Sequence, residues 1–407
     1  MSITDEINLL SRDQFVEGVP HDWFTWLRNN APVYHHSEPD GPGFWVITKY
    51  DDVVAVGKDA KTYSSDQDRG GVVMIEEPPP GQSNNLEGGG KLMLTTDPPE
   101  HTRYRKLVNK GFTPRMINAL EKHIREQAVD IIDKALEGGE ADFVVDIAAD
   151  LPLQAIAELI GVPLEERGKL FEWSNRMIGS EDPEYSVTRE EALGASIEMF
   201  MYAQALADKR RAEPKDDILS VLLESEVDGE QLSEMDFNLF FLLLSVAGNE
   251  TTRNAISHGM HALLQNPDQY QLLVDDPSRV TVATDEIVRW ASPVMYFRRN
   301  ITEDTELRGQ EMKAGDKATI YYISGNRDED IFDDPFTFDV TRDPNPHIGF
   351  GGGGPHFCLG TSLAKLEIRV LFEELAQRAP KMTQIGEAPR LRSNFINGLK
   401  HLPVKFG

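Results

Sequence analysis

One cysteine, Cys358, stands among 407 residues. A single thiol can form no internal disulfide and build no Cys-cluster zinc or iron–sulfur site. Basic residues are scarce as well: 41 Lys and Arg stand against 68 Asp and Glu, for a formal charge of −27. That balance argues against a general nucleic-acid or anionic-membrane binder, since both reward clustered cations. Long apolar runs are missing too. The strongest, Phe237 to Gly248, is broken by Asn238 and Ser245 and falls well short of the ~20 residues of a membrane-spanning helix. The opening MSITDEINLL has no basic stretch leading into an apolar one, so no secretory signal is expected. The expectation is a cytoplasmic protein with no transmembrane anchor and no nucleic-acid partner.

What is present is mostly helical pattern. Hydrophobic residues make up 40% of the chain, enough for a substantial core without a disulfide or metal staple. The first 65 residues read as a helix over His21–Asn30 and a small sheet, with FWVITKY (Phe44–Tyr50) the clearest strand and Asp51 capping a following helix. Residues 66–96 form a loop rich in Gly and Pro, and a loop of that length is expected to be a lid or binding segment. A basic helix begins near Glu100. Helices are expected at Pro152–Ile160, Glu165–Ile178, Glu190–Arg211 and Asp217–Leu223, then a dominant one over 233–265 with Ser233 as its cap. Another covers Ser278–Trp290. Strands follow Pro293, and a last long helix spans Cys358–Arg378. No composition break marks a linker, so residues 1–407 are expected to form one mainly α domain with minor β structure.

Chemistry concentrates at residues 349–360, GFGGGGPHFCLG. Four glycines and Pro355 let the backbone approach a neighbour closely and delay helix formation. Cys358 then stands at the mouth of a helix, where backbone N–H groups and the positive helix end favour a thiolate. A thiolate is the ligand that makes a haem iron competent for O–O cleavage. Taken alone, a Gly-rich turn with an ordinary buried cysteine also accounts for the segment. A phosphate loop does not, because no lysine and hydroxyl follow the glycines in register.

The segment resembles the haem-binding loop of the cytochrome P450 superfamily, FxxGx(H/R)xCxG. Gly354, His356, Cys358 and Gly360 match it, while Phe350 lies one residue earlier than the family's phenylalanine, whose place Gly351 takes. This FGGGGPHFC form is similar to that of bacterial members that oxidise sterols and methyl-branched lipids. Three further segments agree in order and spacing. AGNETT (Ala247–Thr252) resembles the family's oxygen-activating motif, with Ala247 and Gly248 small beside the ring and Glu250 and Thr251 as a proton relay. Glu286 and Arg289 resemble the ExxR pair, with Arg342 from DDPFTFDVTR as the third member of a structural triad. His101 and Arg105, four apart on one helix face, resemble propionate ligands, as do Arg299 and His356.

The resemblance covers essentially the whole chain and implies a P450 fold with haem b bound through Cys358, its metal ligand. It implies a monooxygenase that inserts one atom of O2 into an unactivated C–H bond, fed by NAD(P)H through a separate ferredoxin and ferredoxin reductase. A local cationic patch (Arg103, Arg105, Lys106, Lys110, Arg115, Lys365, Arg369) is the expected docking face for the ferredoxin. Substrate contacts are expected from Met93, Leu94, Val246, Val294, Met295, Phe297, Phe395 and Ile396, an apolar and adaptable set suited to a bulky lipid. Terminal hydroxylation of a sterol or branched lipid is the preferred reaction. Terpenes, fatty acids and aromatic compounds stay open as substrates, as do a peroxide-driven peroxygenase and a non-catalytic haem sensor as functions. A monomer is expected.

Overall fold

The computed structural model describes residues 3–39, 41–73, 75–76, 91–178, 182–184, 188–215, 218–227 and 229–407. Much of the expected 66–96 loop, at 74 and 77–90, lies outside these. The principal elements in chain order are α1 (His21–Asn30), β1 (Val33–His36), β2 (Phe44–Ile47), α2 (Tyr50–Lys58), β3 (Tyr63–Ser64), α3 (Glu100–Val108) and α4 (Pro114–Glu137). Next come β4 (Glu140–Asp142), α5 (Asp150–Leu159), α6 (Arg167–Ile178), α7 (Arg189–Ala212), α8 (Ile218–Glu224) and α9 (Glu234–Gln265). The chain ends with α10 (Val280–Ala291), β5 (Tyr296–Ile301), β6 (Lys317–Tyr321), α11 (Thr361–Arg378), β7 (Met382–Gln384) and β8 (Pro403–Phe406). Helix dominates and the sheets are minor.

The central helix α9 has 32 residues and at ~1.5 Å per residue runs nearly 50 Å. Ser233 caps it: its hydroxyl accepts the Asp236 N–H while the Asp236 carboxylate reaches back to the cap, closing a capping box. Packed around α9 are α5, α7, α10 and α11, with α4 laid against α11 and α5, and their buried aliphatic faces form the largest core cluster. Alongside sits a five-stranded sheet in the order β1-β2-β6-β5-β3, antiparallel except for the parallel β2–β6 pair. A smaller antiparallel sheet, β7-β8-β4, ties the C-terminus to the end of α4.

Two boundaries differ from the sequence reading for tertiary reasons. The Phe44 strand stops at Ile47, and α2 starts at Tyr50, where the Asp328 carboxylate accepts the Tyr50 N–H at 2.9 Å. That distant acid, and not Asp51, satisfies the helix end. The last helix begins at Thr361, three residues after Cys358. Gly351, Gly353 and Gly354 hold left-handed φ values of +88°, +96° and +82° before it, which L-residues adopt only with strain.

Candidate haem-binding site

The glycine loop is wedged on α2. A Cβ at Gly354 would stand 2.5 Å from the Gly57 carbonyl oxygen, and one at Gly352 would lie 2.7 Å from Val54 Cγ2. These glycines therefore exist for loop-to-helix contact, and that contact sets the height at which Cys358 is presented. The Cys358 N–H donates to the Phe350 carbonyl at 3.0 Å, and the Thr361 hydroxyl donates to the Cys358 carbonyl at 2.9 Å. Phe350 stands where the loop begins, packs against His347 and lies under the Lys365 ammonium, and both it and Phe357 line the cavity.

Cys358 opens on a mainly apolar cavity between α9 and α11. Burial pushes its thiol pKa up, while the Gly360 and Thr361 donors and the Arg105 charge pull down. The donors at the start of α11 do reach the sulfur, but desolvation outweighs them, and a bound metal cation is what would hold the thiolate.

At one side of the cavity His101, Arg105 and His356 converge, while Arg299 stands beside His356 but is not among the lining residues and donates to the Arg298 carbonyl. His101 and His356 have ring centroids 4.2 Å apart. Burial, then the Arg105 charge, lowers the His101 pKa to about 4; burial, then Arg299, His101 and Arg105, lowers that of His356 to about 2. Among the described residues, His101 Nδ1 and His356 Nε2 are buried without hydrogen-bond partners. Arg105 makes no ion pair among the described residues, and burial lowers the Arg299 pKa as well. Such a cluster calls for carboxylates. The two carboxylates of a bound haem are groups that these donors would fit.

Along α9, Phe240, Leu244, Ala247 and Thr251 recur at helical spacing and face the cavity. The Thr251 hydroxyl donates to the Ala247 carbonyl at 2.7 Å. Glu250 is elsewhere. Its side chain is buried, forms an ion pair with Arg253, and is not among the cavity-lining residues. Desolvation raises its pKa, and Arg253 opposes that. One residue along a helix is ~100° of rotation, which carries Glu250 away from the wall that Thr251 lines. Gly248 is also explained by packing: a Cβ there would meet Ile156 Cδ1 of α5 at 2.9 Å.

Of the expected substrate contacts, Met93, Leu94, Val294 and Phe297 line the cavity. Val246, Met295, Phe395 and Ile396 do not. Val246 points off the stripe of Ala247. Met295 is fully buried in a separate cluster with Phe15 and Phe24, because alternation on an extended segment sends it opposite to Val294. Phe395 packs tilted against Phe297 at 5.8 Å and edge-on to Tyr296 at 5.4 Å, off the cavity wall. Ile396 pairs with Val294 through its backbone, but its own side chain is buried and not among the lining residues. Phe240, Leu243 and Leu244 take their place, and the i, i+4, i+7, i+11 spacing through Phe240, Leu244, Ala247 and Thr251 was the signal that locates them.

Beneath the site, Glu286 and Arg289 form a fully buried two-point pair, with both contacts at 2.7 Å. Arg342 joins Glu286 at 3.2 Å. The remaining Glu286 lone pairs take the Asp339 N–H and the Asn345 amide, each at 3.0 Å. Arg289 also donates to the carbonyls of Asn326, Pro335 and Thr337, so one ion pair clamps α10 to the long segment leading into the cysteine loop.

A lone thiol facing an apolar cavity, with an unneutralised basic cluster at its edge, defines a haem-thiolate site. The family profile described as Cytochrome P450 matches residues 191–379. The Steroid C26-monooxygenase of Rhodococcus jostii is 44% identical over 400 residues, covering 97% of this chain and 83% of that protein. The Methyl-branched lipid omega-hydroxylase of Mycobacterium bovis is 42% identical, over 94% of this chain and 90% of that protein. Among solved structures, the Mycobacterium marinum cytochrome P450 CYP268A2 in complex with pseudoionone has a TM-score of 0.90 at 37% identity, covering 98% of each chain. The Bacillus megaterium CYP109E1 in complex with corticosterone has a TM-score of 0.83 at 30% identity, over 97% of this chain and 99% of that one. The chain belongs to the cytochrome P450 family and is a P450 monooxygenase with the mainly α, minor β fold of that family. Among the described residues no helix is long and apolar enough to cross a membrane.

Proposed function

We propose that this monooxygenase hydroxylates the terminal carbon of a steroid side chain or of a methyl-branched lipid. The observation that carries the reading is the apolar wall facing Cys358, made by Met93, Leu94, Phe240, Leu244, Val294 and Phe297. A wall of this kind orients a bulky aliphatic substrate by shape and gives little purchase to a polar one. The names of the similar steroid and branched-lipid enzymes support the same substrate class. Titration of the haem-loaded protein with sterols, branched lipids, terpenes and fatty acids, followed by the low-spin to high-spin Soret shift, tests it. Saturable shifts for a sterol or branched lipid, with hydroxyl found at a chain terminus in the product, are expected. Shifts confined to other classes would overturn it.

Haem bound through Cys358 would supply oxygen activation and hydrogen abstraction; the residues here hold, orient and protonate. His101, Arg105, Arg299 and His356 would hold its carboxylates. Phe350, Gly360 and Ala247 would bound its faces. Thr251, whose Oγ donates to the Ala247 carbonyl on the cavity wall, would pass a proton inward. Glu250, held by Arg253, stands behind it as a reserve of protons and does not touch substrate. Thr251→Ala is therefore expected to keep haem binding and the substrate-induced Soret shift while most NAD(P)H equivalents appear as hydrogen peroxide. Product formed per NAD(P)H consumed measures this, and unchanged coupling would sink the role.

Electrons from NAD(P)H would arrive through a ferredoxin and its reductase. Of the expected docking cations, Arg105 faces the cavity, Lys365 pairs with Asp285, and Arg369 pairs with Glu121 and Glu373. Lys106, Lys110 and Arg115 are exposed, and they carry the reading of an anionic ferredoxin drawn to this face.

A further inference from the structure

Helix α7 is apolar on two opposite faces. Ala195, Met199, Ala203, Leu206 and Ala207 are buried in the main core. Two residues away, about 200° around the helix, Leu193, Ile197 and Met201 stand in a row at i, i+4 and i+8. They are 49%, 56% and 62% exposed, and Ala205 continues the row as a fourth exposed position. Surface helices normally carry charge on the face turned from the core, and a contiguous apolar ridge of this kind marks an interaction surface.

The charges flanking the ridge identify the partner. Most of them are committed within the chain. Glu191 closes the capping box with Thr188, Glu198 binds Trp173 and Arg176, and Arg211 pairs with Asp208 and Glu234. Glu190, in the first turn, and Lys209, in the last, are exposed and make no ion pair among the described residues. The row and these two charges are balanced about the level of residue 199. Ile197 and Met201 lie two residues either side, Leu193 and Ala205 six, and Glu190 and Lys209 nine and ten.

We propose that α7 pairs antiparallel with α7 of a second copy of this chain across a two-fold axis at that level. Ile197 then meets the partner's Met201, Leu193 meets the partner's Ala205, and Glu190 reaches the partner's Lys209, each contact occurring twice as an isologous interface requires. The acidic start and basic end of the helix make the antiparallel orientation attractive and the parallel one repulsive. This departs from the monomer expected from sequence alone. A lipid surface would cover the same ridge, but it offers nothing to match an acid at one end and a base at the other, and the −27 charge opposes approach to anionic lipid. The ridge is one helix long, so the interface is small and the dimer dissociates on the order of 10 µM.

Sedimentation velocity of the haem-loaded full chain from about 1 to about 200 µM reads the association directly. The expected result is a monomer at the low end and a dimer at the high end. Ile197→Glu with Met201→Glu should stay monomeric throughout while keeping the wild-type haem spectrum. Glu190→Lys and Lys209→Glu should each weaken association about tenfold, and the two together should restore it, which only antiparallel pairing predicts. A wild type that remains monomeric, a dimer indifferent to the ridge variants, or no rescue by the double reversal would overturn the proposal. So would flotation of wild type, but not of the ridge variant, on phosphatidylcholine vesicles while the protein stays monomeric in solution, since that outcome assigns the ridge to lipid.

Discussion

Cys358→Ser is expected to abolish product formation, to below about a thousandth of wild type, while the chain stays folded. A factor of that size corresponds to ~4 kcal/mol of lost transition-state stabilisation. Serine keeps the backbone hydrogen bond to the Phe350 carbonyl and fills nearly the same volume, so the loop built on α2 has no reason to move. What it loses is the anionic sulfur, the atom through which every electronic influence of the protein on a haem iron would pass. Product formed under saturating substrate and reductant, beside a melting curve by circular dichroism, separates loss of chemistry from loss of fold. Retained turnover would remove Cys358 from the reaction.

Glu286→Ala is expected to have the largest effect on stability. Its carboxylate holds Arg289 at two points, Arg342 at a third, and the Asp339 N–H and Asn345 amide beyond these. Both members of the central pair are wholly buried. Removing one leaves a guanidinium without a counter-charge, at a cost of ~3–5 kcal/mol, against a total stability of ~5–15 kcal/mol for an ordinary domain. Because the clamp joins α10 to the segment entering the cysteine loop, haem content should fall with melting temperature. Arg289→Lys should resemble it, since an ammonium cannot span two carboxylate oxygens and three carbonyls. A Glu286→Ala protein that loads haem fully and melts with wild type would show that the clamp does not hold the loop.

What was legible in the sequence was local. His101 with Arg105, Glu286 with Arg289, and the run from Gly349 to Gly360 are read from spacings of a few residues that a helix or tight loop turns directly into geometry. The long helix was equally plain, because its cap and apolar length are contiguous. Choices made by distant partners were not. Asp328 starts α2, and Asn345 completes the Glu286 cluster, from 278 and 59 residues away; no spacing announces either. Met295 and Val294 differ only in which face of an extended segment meets the cavity, and Phe395 is screened by Phe297, so an apolar inventory counted all of them alike. Glu250 shows the same limit: adjacent to Thr251 in sequence, it is a quarter-turn and more away in space, off the cavity wall and beside Arg253. The glycines are points of close approach: the loop's glycines meet α2, and Gly248 both lines the cavity and packs on Ile156.

Thiolate ligation through Cys358 is tested most directly by the difference spectrum of reduced holoprotein with and without carbon monoxide. The wild type should show its Soret band at the long wavelength diagnostic of a thiolate-ligated ferrous carbonyl, and Cys358→Ser should lack it. A folded wild type whose band instead falls at the shorter wavelength of imidazole-ligated haem would contradict the assignment.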